Sequence, residues 1–255
     1  MQLQCDTSVA EGYTSEAQRS RLISEAWFRS HAYCLSCDQE RLCATSTNTK
    51  ATDFVCSSCH QGYELKTFKT RPKKTLIDGS YHALLNRILD GSVPALMLLE
   101  RNEQWEVRSL TSIHQLFLTP NVVQEPRPLS TSARRAGWIG CNIRLDLIAP
   151  DAYVEVVHEG RLNPREWVRK RFQRSGRLER IEPESRGWTT LALKLIRNLN
   201  QETFSLDSLY AQEDIVERVY PKNKNIRPKL RQQLQVLRDL GYLEFKGRGT
   251  YSLLT

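Results

Sequence analysis

The feature that most limits how this chain can fold is a pair of cysteine pairs. Cys34-x-x-Cys37 and Cys56-x-x-Cys59 are separated by 18 intervening residues. Each Cys-x-x-Cys turn brings two sulfurs within reach of one ion, and two such turns at this separation match the four-thiolate zinc pattern. Four thiolates complete a closed tetrahedron with no vacancy for water or substrate, so the expected role of Zn²⁺ is structural. The chain has seven cysteines, an odd number that speaks against a disulfide framework. Cys5, Cys43 and Cys141 lack a partner at such a spacing and are expected to be small buried residues. His60, beside Cys59, could stand in for a ligand, although four thiolates suffice.

A second set of metal-binding groups overlaps the second pair. The stretch ATDFVCSSCHQGYELK, residues 51–66, carries Asp53, Glu64 and Lys66. Glu64 and Lys66 are two positions apart, so on a strand both side chains point to one face. Asp53, expected on a neighbouring strand, can share a divalent ion with Glu64. Two carboxylates suit Mg²⁺, and the Leu65 carbonyl could add a ligand. Such an ion lowers the pKa of an attacking water, and Lys66 could orient that water or offset the growing charge. The set resembles the P-D…(D/E)-x-K pattern of metal-dependent nucleases, with Thr52 standing where the pattern has proline. Taken alone, an acid followed two residues later by lysine is common on solvated strands. The cysteine knuckle between the two acids favours the catalytic reading, because a tetrahedral anchor would hold the strand register that such ligands need.

Composition narrows the partner. The formal net charge of +8 and pI near 9.2 favour a polyanion, nucleic acid or anionic lipid alike. No stretch approaches the roughly 18 apolar residues of a membrane span. The start, MQLQCDTSVAEGY, has no basic-then-apolar leader pattern, so a cytoplasmic location is expected. With 255 residues the chain can form one large domain or two smaller ones.

Periodicity supplies a coarse element order. Helical spacing runs through 15–33 and 81–91, the latter closed by Gly91. Residues 34–66 read as short strands and knuckles. The continuous apolar run 93–101 fits a buried strand, alternation over 105–113 its neighbour, and 153–162 a further strand ending in a turn. Prolines and small residues make 119–140 a loop. The basic segment 164–180 reads as partly helical, and IEPESRG, 181–187, as a linker. Three helices are then expected, WTTLALKLIRNL, LDSLYAQEDIVERVY and IRPKLRQQLQVLRDLG, followed by two β runs around Gly247-Arg248-Gly249. Three helices and a hairpin are the order of a winged helix-turn-helix.

Three stretches resemble a known family. The strip from Cys34 to Lys66, TSARRAGWIGCNI at 131–143, and RQQLQVLRDLGYLEFKGRG at 231–249 are similar to the DpnI family of methyl-directed restriction endonucleases. The resemblance implies an α/β fold: a PD-(D/E)xK nuclease core with a four-cysteine zinc site over 1–182, and an α/β winged-helix domain over 183–255. It implies double-stranded GATC carrying N6-methyladenine as substrate, cut with Mg²⁺, and two modules that read the methylated site separately, in a protein acting as a monomer. Asp53, Glu64 and Lys66 would take the catalytic positions, the four cysteines zinc, and Trp138 with its neighbours the methyladenine-reading segment.

The residues themselves are compatible with DNA reading. Ser132, Arg134, Arg135 and Trp138 offer two guanidinium groups for phosphate or guanine and an aromatic for a methyl group, although a surface loop with a half-buried tryptophan has the same composition. From Arg218 to Arg231 there are six basic residues and no acid, which is either a solvated face or the entrance to a recognition helix. Asn225 suits its N-cap and Pro228 its first turn. Lys222, Lys224, Arg227 and Arg231 are expected on phosphate or base edges, Gln232 and Gln235 on adenine, and Lys246 and Arg248 of the wing on the backbone. One methyl in an apolar pocket is worth only about 1 kcal/mol, so steep methyl dependence would need both modules or a repulsive element against the unmethylated base. Two other functions fit the same residues: a non-catalytic zinc-ribbon and winged-helix DNA-binding regulator, and a nuclease of broader specificity.

Overall fold

The computed structural model describes residues 1–46 and 52–254; residues 47–51 of the expected knuckle region lie outside the described residues. Contacts divide the chain into two compact units, each assembled from separate stretches. The first takes Met1–Lys73, Ser92–Gln115 and Asp151–Gly176, the second Lys74–Gly91, Leu116–Pro150 and Arg177–Thr255.

Elements are numbered along the whole chain. The first unit is built on a seven-stranded sheet of β1 (Cys43–Ala44), β2 (Phe54–Val55), β3 (Gly62–Phe68), β5 (Ala95–Arg101), β6 (Val107–Ile113), β9 (Tyr153–His158) and β10 (Arg161–Leu162), in that spatial order. Among the described residues only β3 and β5 pair in parallel, with Glu64 opposite Leu96 and Lys66 opposite Leu98. The apolar run of β5 is buried along nearly its whole length, as expected for a strand with neighbours on both edges. The α-helices of this unit among the described residues are α1 (Glu16–His31) and α3 (Arg165–Ser175). From α1, Ile23, Trp27 and Phe28 enter the core, and the Phe28 ring packs on Phe54 of β2 with centroids 4.8 Å apart.

The second unit contains a three-stranded sheet, β4 (Thr75–Asp78), β8 (Cys141–Arg144) and β7 (Val123–Gln124), together with α2 (Tyr81–Leu89). Its remainder is helical with a β wing: α4 (Pro183–Asn198), β11 (Thr203–Ser205), α5 (Leu206–Tyr210), α6 (Glu213–Val219), α7 (Ile226–Asp239), β12 (Leu243–Gly247) and β13 (Thr250–Leu253). The wing tip is a two-residue turn in which Arg248 and Gly249 both have positive φ, 47° and 74°, the mirror-image geometry that suits the twist of a hairpin.

Several expectations are corrected. The stretch 181–187 is no linker: α4 starts at Pro183, whose fixed φ suits a first helical position, and Glu184 lies in the dipole-favoured first turn. The second expected helix is two, α5 and α6, broken at Ala211–Gln212, where the Gln212 side chain instead donates to the Leu195 carbonyl at 2.9 Å. The loop expected over 119–140 contains the short strand β7, and the strand β8 that follows carried no period long enough to read. Residues 153–162 form two paired strands rather than one. Cys43 is exposed, not buried.

Phe28→Ala should cost about 3–5 kcal/mol by opening a cavity between α1 and β2. A matching fall in the thermal midpoint would report it.

Candidate metal and nucleic-acid sites

The four cysteines converge. Among the described residues, Cys34, Cys37, Cys56 and Cys59 form a group whose sulfurs all lie within 4.8 Å of one another. Cys34 and Cys59 Sγ are 3.5 Å apart, Cys37 and Cys56 Sγ 3.6 Å. A tetrahedron with Zn–S bonds near 2.3 Å has edges of about 3.8 Å, so the donor set fits a zinc ion. His60 is not part of the group.

Each knuckle is made the same way. Cys34 N donates to the Gln39 carbonyl (2.9 Å), and Cys56 N to the Gln61 carbonyl (3.0 Å). The sequence Cys-x-Ser-Cys-x-Gln stands at both places, 34–39 and 56–61, a repeat that composition and periodicity overlook. The thiols do not share one proton affinity. Burial pushes Cys59 up to about 12, helped by its sulfur neighbours. At Cys56 burial also acts upward, but the Cys59 and Ser58 N–H groups outweigh it and bring the thiol down to about 7. Crowded sulfurs resist joint ionisation, and a dication removes that resistance.

Two residues that sequence reasoning missed tie the cluster to its surroundings. The buried Tyr63 hydroxyl accepts from Leu35 N at 2.9 Å and lies 3.3 Å from Cys34 Sγ. The phenol thus bridges the Leu35 backbone and the Cys34 sulfur. Arg169 of α3 donates through Nε to the Cys34 carbonyl at 3.2 Å. The first is a core-like tyrosine and the second one charge in a basic run, so neither carried a local signal.

Tyr63 is followed on β3 by the acid–lysine pair. Glu64 and Lys66 share a face, with Nζ 2.6 Å from Oε1. Glu64 is only 7% exposed. β2 ends its pairing as Asp53 N donates to the Tyr63 carbonyl (2.9 Å). Beyond that point the Asp53 carboxylate replaces the missing strand: Oδ2 accepts from Leu65 N at 2.8 Å. N–H and C=O of an extended residue emerge on the same edge, so the Leu65 carbonyl faces the Asp53 side as well. Asp53, Glu64, Leu65 and Lys66 line one cleft of about 330 Å³. Two carboxylates and a carbonyl are hard oxygen donors and fit Mg²⁺.

The expected DNA-reading residues all lie in the second unit. Residues 129–138 close into a compact loop through Leu129 N to the Trp138 carbonyl (2.9 Å) and Gly137 N to the Leu129 carbonyl (3.0 Å). Trp138 is half-buried, and the Arg135 guanidinium lies 4.4 Å from its ring centroid. Gly140 sits against the indole edge, where an added Cβ would meet Cζ3 at 3.1 Å. Arg134 is exposed, and Ser132 Oγ is 2.9 Å from Ser130 Oγ.

On α7, Ile226, Leu230, Gln233, Leu234 and Leu237 are buried, while Arg231, Gln232 and Gln235 are exposed. Asn225 is the N-cap residue, but its side chain makes no capping bond. Lys222 and Lys224 are exposed in the turn before the helix. That turn is pinned by Tyr220, stacked on Trp188 of α4 at 3.9 Å and 7°. Arg227 differs from expectation: it forks onto Glu213 of α6 with bonds of 2.8 and 2.9 Å, which holds the Glu213 carboxyl below its ordinary range. Its guanidinium is therefore engaged within the protein. Lys229 donates to Gln232 Oε1 at 2.9 Å, and Lys246 to Glu244 Oε2 at 2.7 Å.

Tyr63→Phe should cost about 1–3 kcal/mol by leaving the buried Leu35 N–H unsatisfied. Metal analysis should still find one zinc per chain in that variant, and none in Cys56→Ser.

A family model described as DpnI, the Dam-replacing family, matches residues 1–181. A second, described as the Dam-replacing HTH domain, matches residues 184–252. The chain belongs to the DpnI, or Dam-replacing, family of methyl-directed restriction endonucleases.

Proposed function

We propose that the protein cleaves double-stranded DNA at G(N6-methyl-A)TC by Mg²⁺-dependent phosphodiester hydrolysis. The observation that carries this reading is the joint placement of Asp53, Glu64, Leu65 and Lys66 in one cleft beside a rigid sulfur cluster. Family membership and the helix-turn-helix match support the DNA substrate. The seven-stranded mixed sheet, with Glu64 and Lys66 on an inner strand, is compatible with a PD-(D/E)xK core. Among the described residues no helix is long and apolar enough to cross a membrane.

In this reading Asp53 and Glu64 hold the metal, with the Leu65 carbonyl beside them. A bound Mg²⁺ would supply Lewis-acid stabilisation of the phosphate and a lowered water pKa. Asp53 is kept in place by the Leu65 N–H, so its carboxylate costs little to position. Lys66, held at Glu64, sits where its ammonium can orient a water by donating to its oxygen and offset charge gathering on the phosphate. The zinc is structural: its four sulfur ligands leave no open position.

Methyl recognition falls to Trp138 and to α7. Arg135 covers one part of the indole, leaving the remaining apolar surface for a methyl group. Arg231, Gln232 and Gln235 project from α7 for base edges and phosphate, with Lys222, Lys224, Lys246 and Arg248 on the backbone. Arg227, already paired with Glu213, serves DNA less directly than its neighbours. A single monomer with two reading surfaces accounts for methyl dependence steeper than one apolar contact allows.

Plasmid carrying adenine methylation should be cut with Mg²⁺ and spared with EDTA, while unmethylated plasmid survives. Asp53→Ala should lose at least about a thousandfold in rate, given the several kcal/mol a catalytic metal supplies. Cleavage of both plasmids alike would replace the methyl-directed reading with a broader nuclease, and binding without cleavage would leave a regulator. Lys224→Glu combined with Arg231→Glu should weaken DNA binding and flatten the salt dependence of log K by about two, as expected when two phosphate contacts are lost.

A further inference from the structure

The cleft that holds Asp53, Glu64 and Lys66 has a second wall with no assigned role. Arg21, Glu25 and Arg29 of α1 line the same cavity. They are spaced four residues apart, which puts them along one face of the helix, while Ile23, Trp27 and Phe28 bury the other. Arg21 Nε binds Glu25 Oε1 at 2.9 Å and is 65% exposed. Arg29 is exposed, and among the described residues no carboxylate pairs with it.

The balance of charge says what this wall is for. The cleft holds three carboxylates, Asp53, Glu64 and Glu25, and three cations, Lys66, Arg21 and Arg29. It is formally neutral, and a dication at the two β-strand-side acids makes it positive. Glu64 is matched by Lys66 and Glu25 by Arg21. The remaining positive group, Arg29, faces a cleft whose candidate metal donors, Asp53, Glu64 and Leu65, are all on the other wall. A guanidinium fork is suited to bidentate binding of a phosphate.

We propose that Arg29, steadied by the Arg21–Glu25 pair beside it, is a positioning residue that grips a DNA backbone phosphate next to the one being cleaved. This rests on the nuclease reading above and assigns α1 as the side of the cleft that holds the strand in line for attack. Arg29 binds, Lys66 and the acids act at the reacting phosphate, and the second unit supplies sequence recognition independently.

The test compares Arg29→Ala, Arg29→Glu and Arg29→Lys with Asp53→Ala on a methylated GATC duplex. Loss of one charged hydrogen-bond contact should slow cleavage about 10- to 100-fold in Arg29→Ala, with Arg29→Glu slower still and Arg29→Lys partly restored. Binding measured with Ca²⁺ in place of Mg²⁺ should show a salt slope reduced by about one in Arg29→Ala. A purely structural arginine would lower the thermal midpoint of all three variants without changing that slope, and this result would overturn the proposal. So would wild-type cleavage rates in Arg29→Glu while Asp53→Ala is inactive. If wild type itself fails to cut methylated DNA, the nuclease reading falls instead, and the slope on bound DNA still reports whether Arg29 touches phosphate.

Discussion

One buried phenol fixes the geometry on which the candidate chemistry depends. Tyr63 reaches the sulfur cluster, accepting from Leu35 and pointing at Cys34. Because side chains alternate along a strand, anchoring Tyr63 on one face sets Glu64 and Lys66 on the other. A one-residue slip of β3 would turn Glu64 and Lys66 into the core and the tyrosine into the cleft, so the cluster acts as a register pin. The second knuckle lies between Asp53 and Glu64 in the chain, and it bends β2 back onto β3 so that the Asp53 carboxylate meets the Leu65 N–H. The second cysteine knuckle and the acid pair are thus one piece of β-ribbon.

The helix-turn-helix part uses different physics. Its helical core is closed by leucines of α7 and by the buried Gln233, whose Oε1 accepts from Thr189 at 2.7 Å. Gly187 in α4 gives way to Tyr220 and Asn121; an added Cβ would lie 2.4 Å from Asn121 Oδ1. The close approach lets the Trp188–Tyr220 stack form and holds the turn in front of α7. Charges on this surface are partly spent inside the protein, as at Arg227–Glu213 and Arg218–Asp214. The exposed remainder, chiefly Lys222, Lys224 and Arg231, is what a polyanion would meet.

Much of this was legible in the residues. The spacing of the cysteine pairs carried the convergence of the four sulfurs, and the two-residue step from Glu64 to Lys66 carried their shared face. The apolar run of β5, the helices α1 and α2, and the wing around Gly247–Gly249 were each written in a period or a turn signal. The errors came where a strong local signal met a different tertiary demand. Proline, glycine and charge in 181–187 read as a linker, yet proline also starts helices, and Gly187 is there for close packing. β8 is four residues long, too short for any period to declare itself.

By itself the sequence determined the two matched cysteine knuckles, the alternation that groups acid with lysine, and the amphipathic faces of the long helices, since each follows from chemistry within a few residues. Only the tertiary structure decided that Tyr63 anchors the cluster, that Asp53 caps Leu65, that Arg227 is tied to Glu213, and that α1 supplies the second wall of the cleft. Those are meetings of residues distant in the chain, selected by complementary hydrogen bonds and packing that no local pattern encodes.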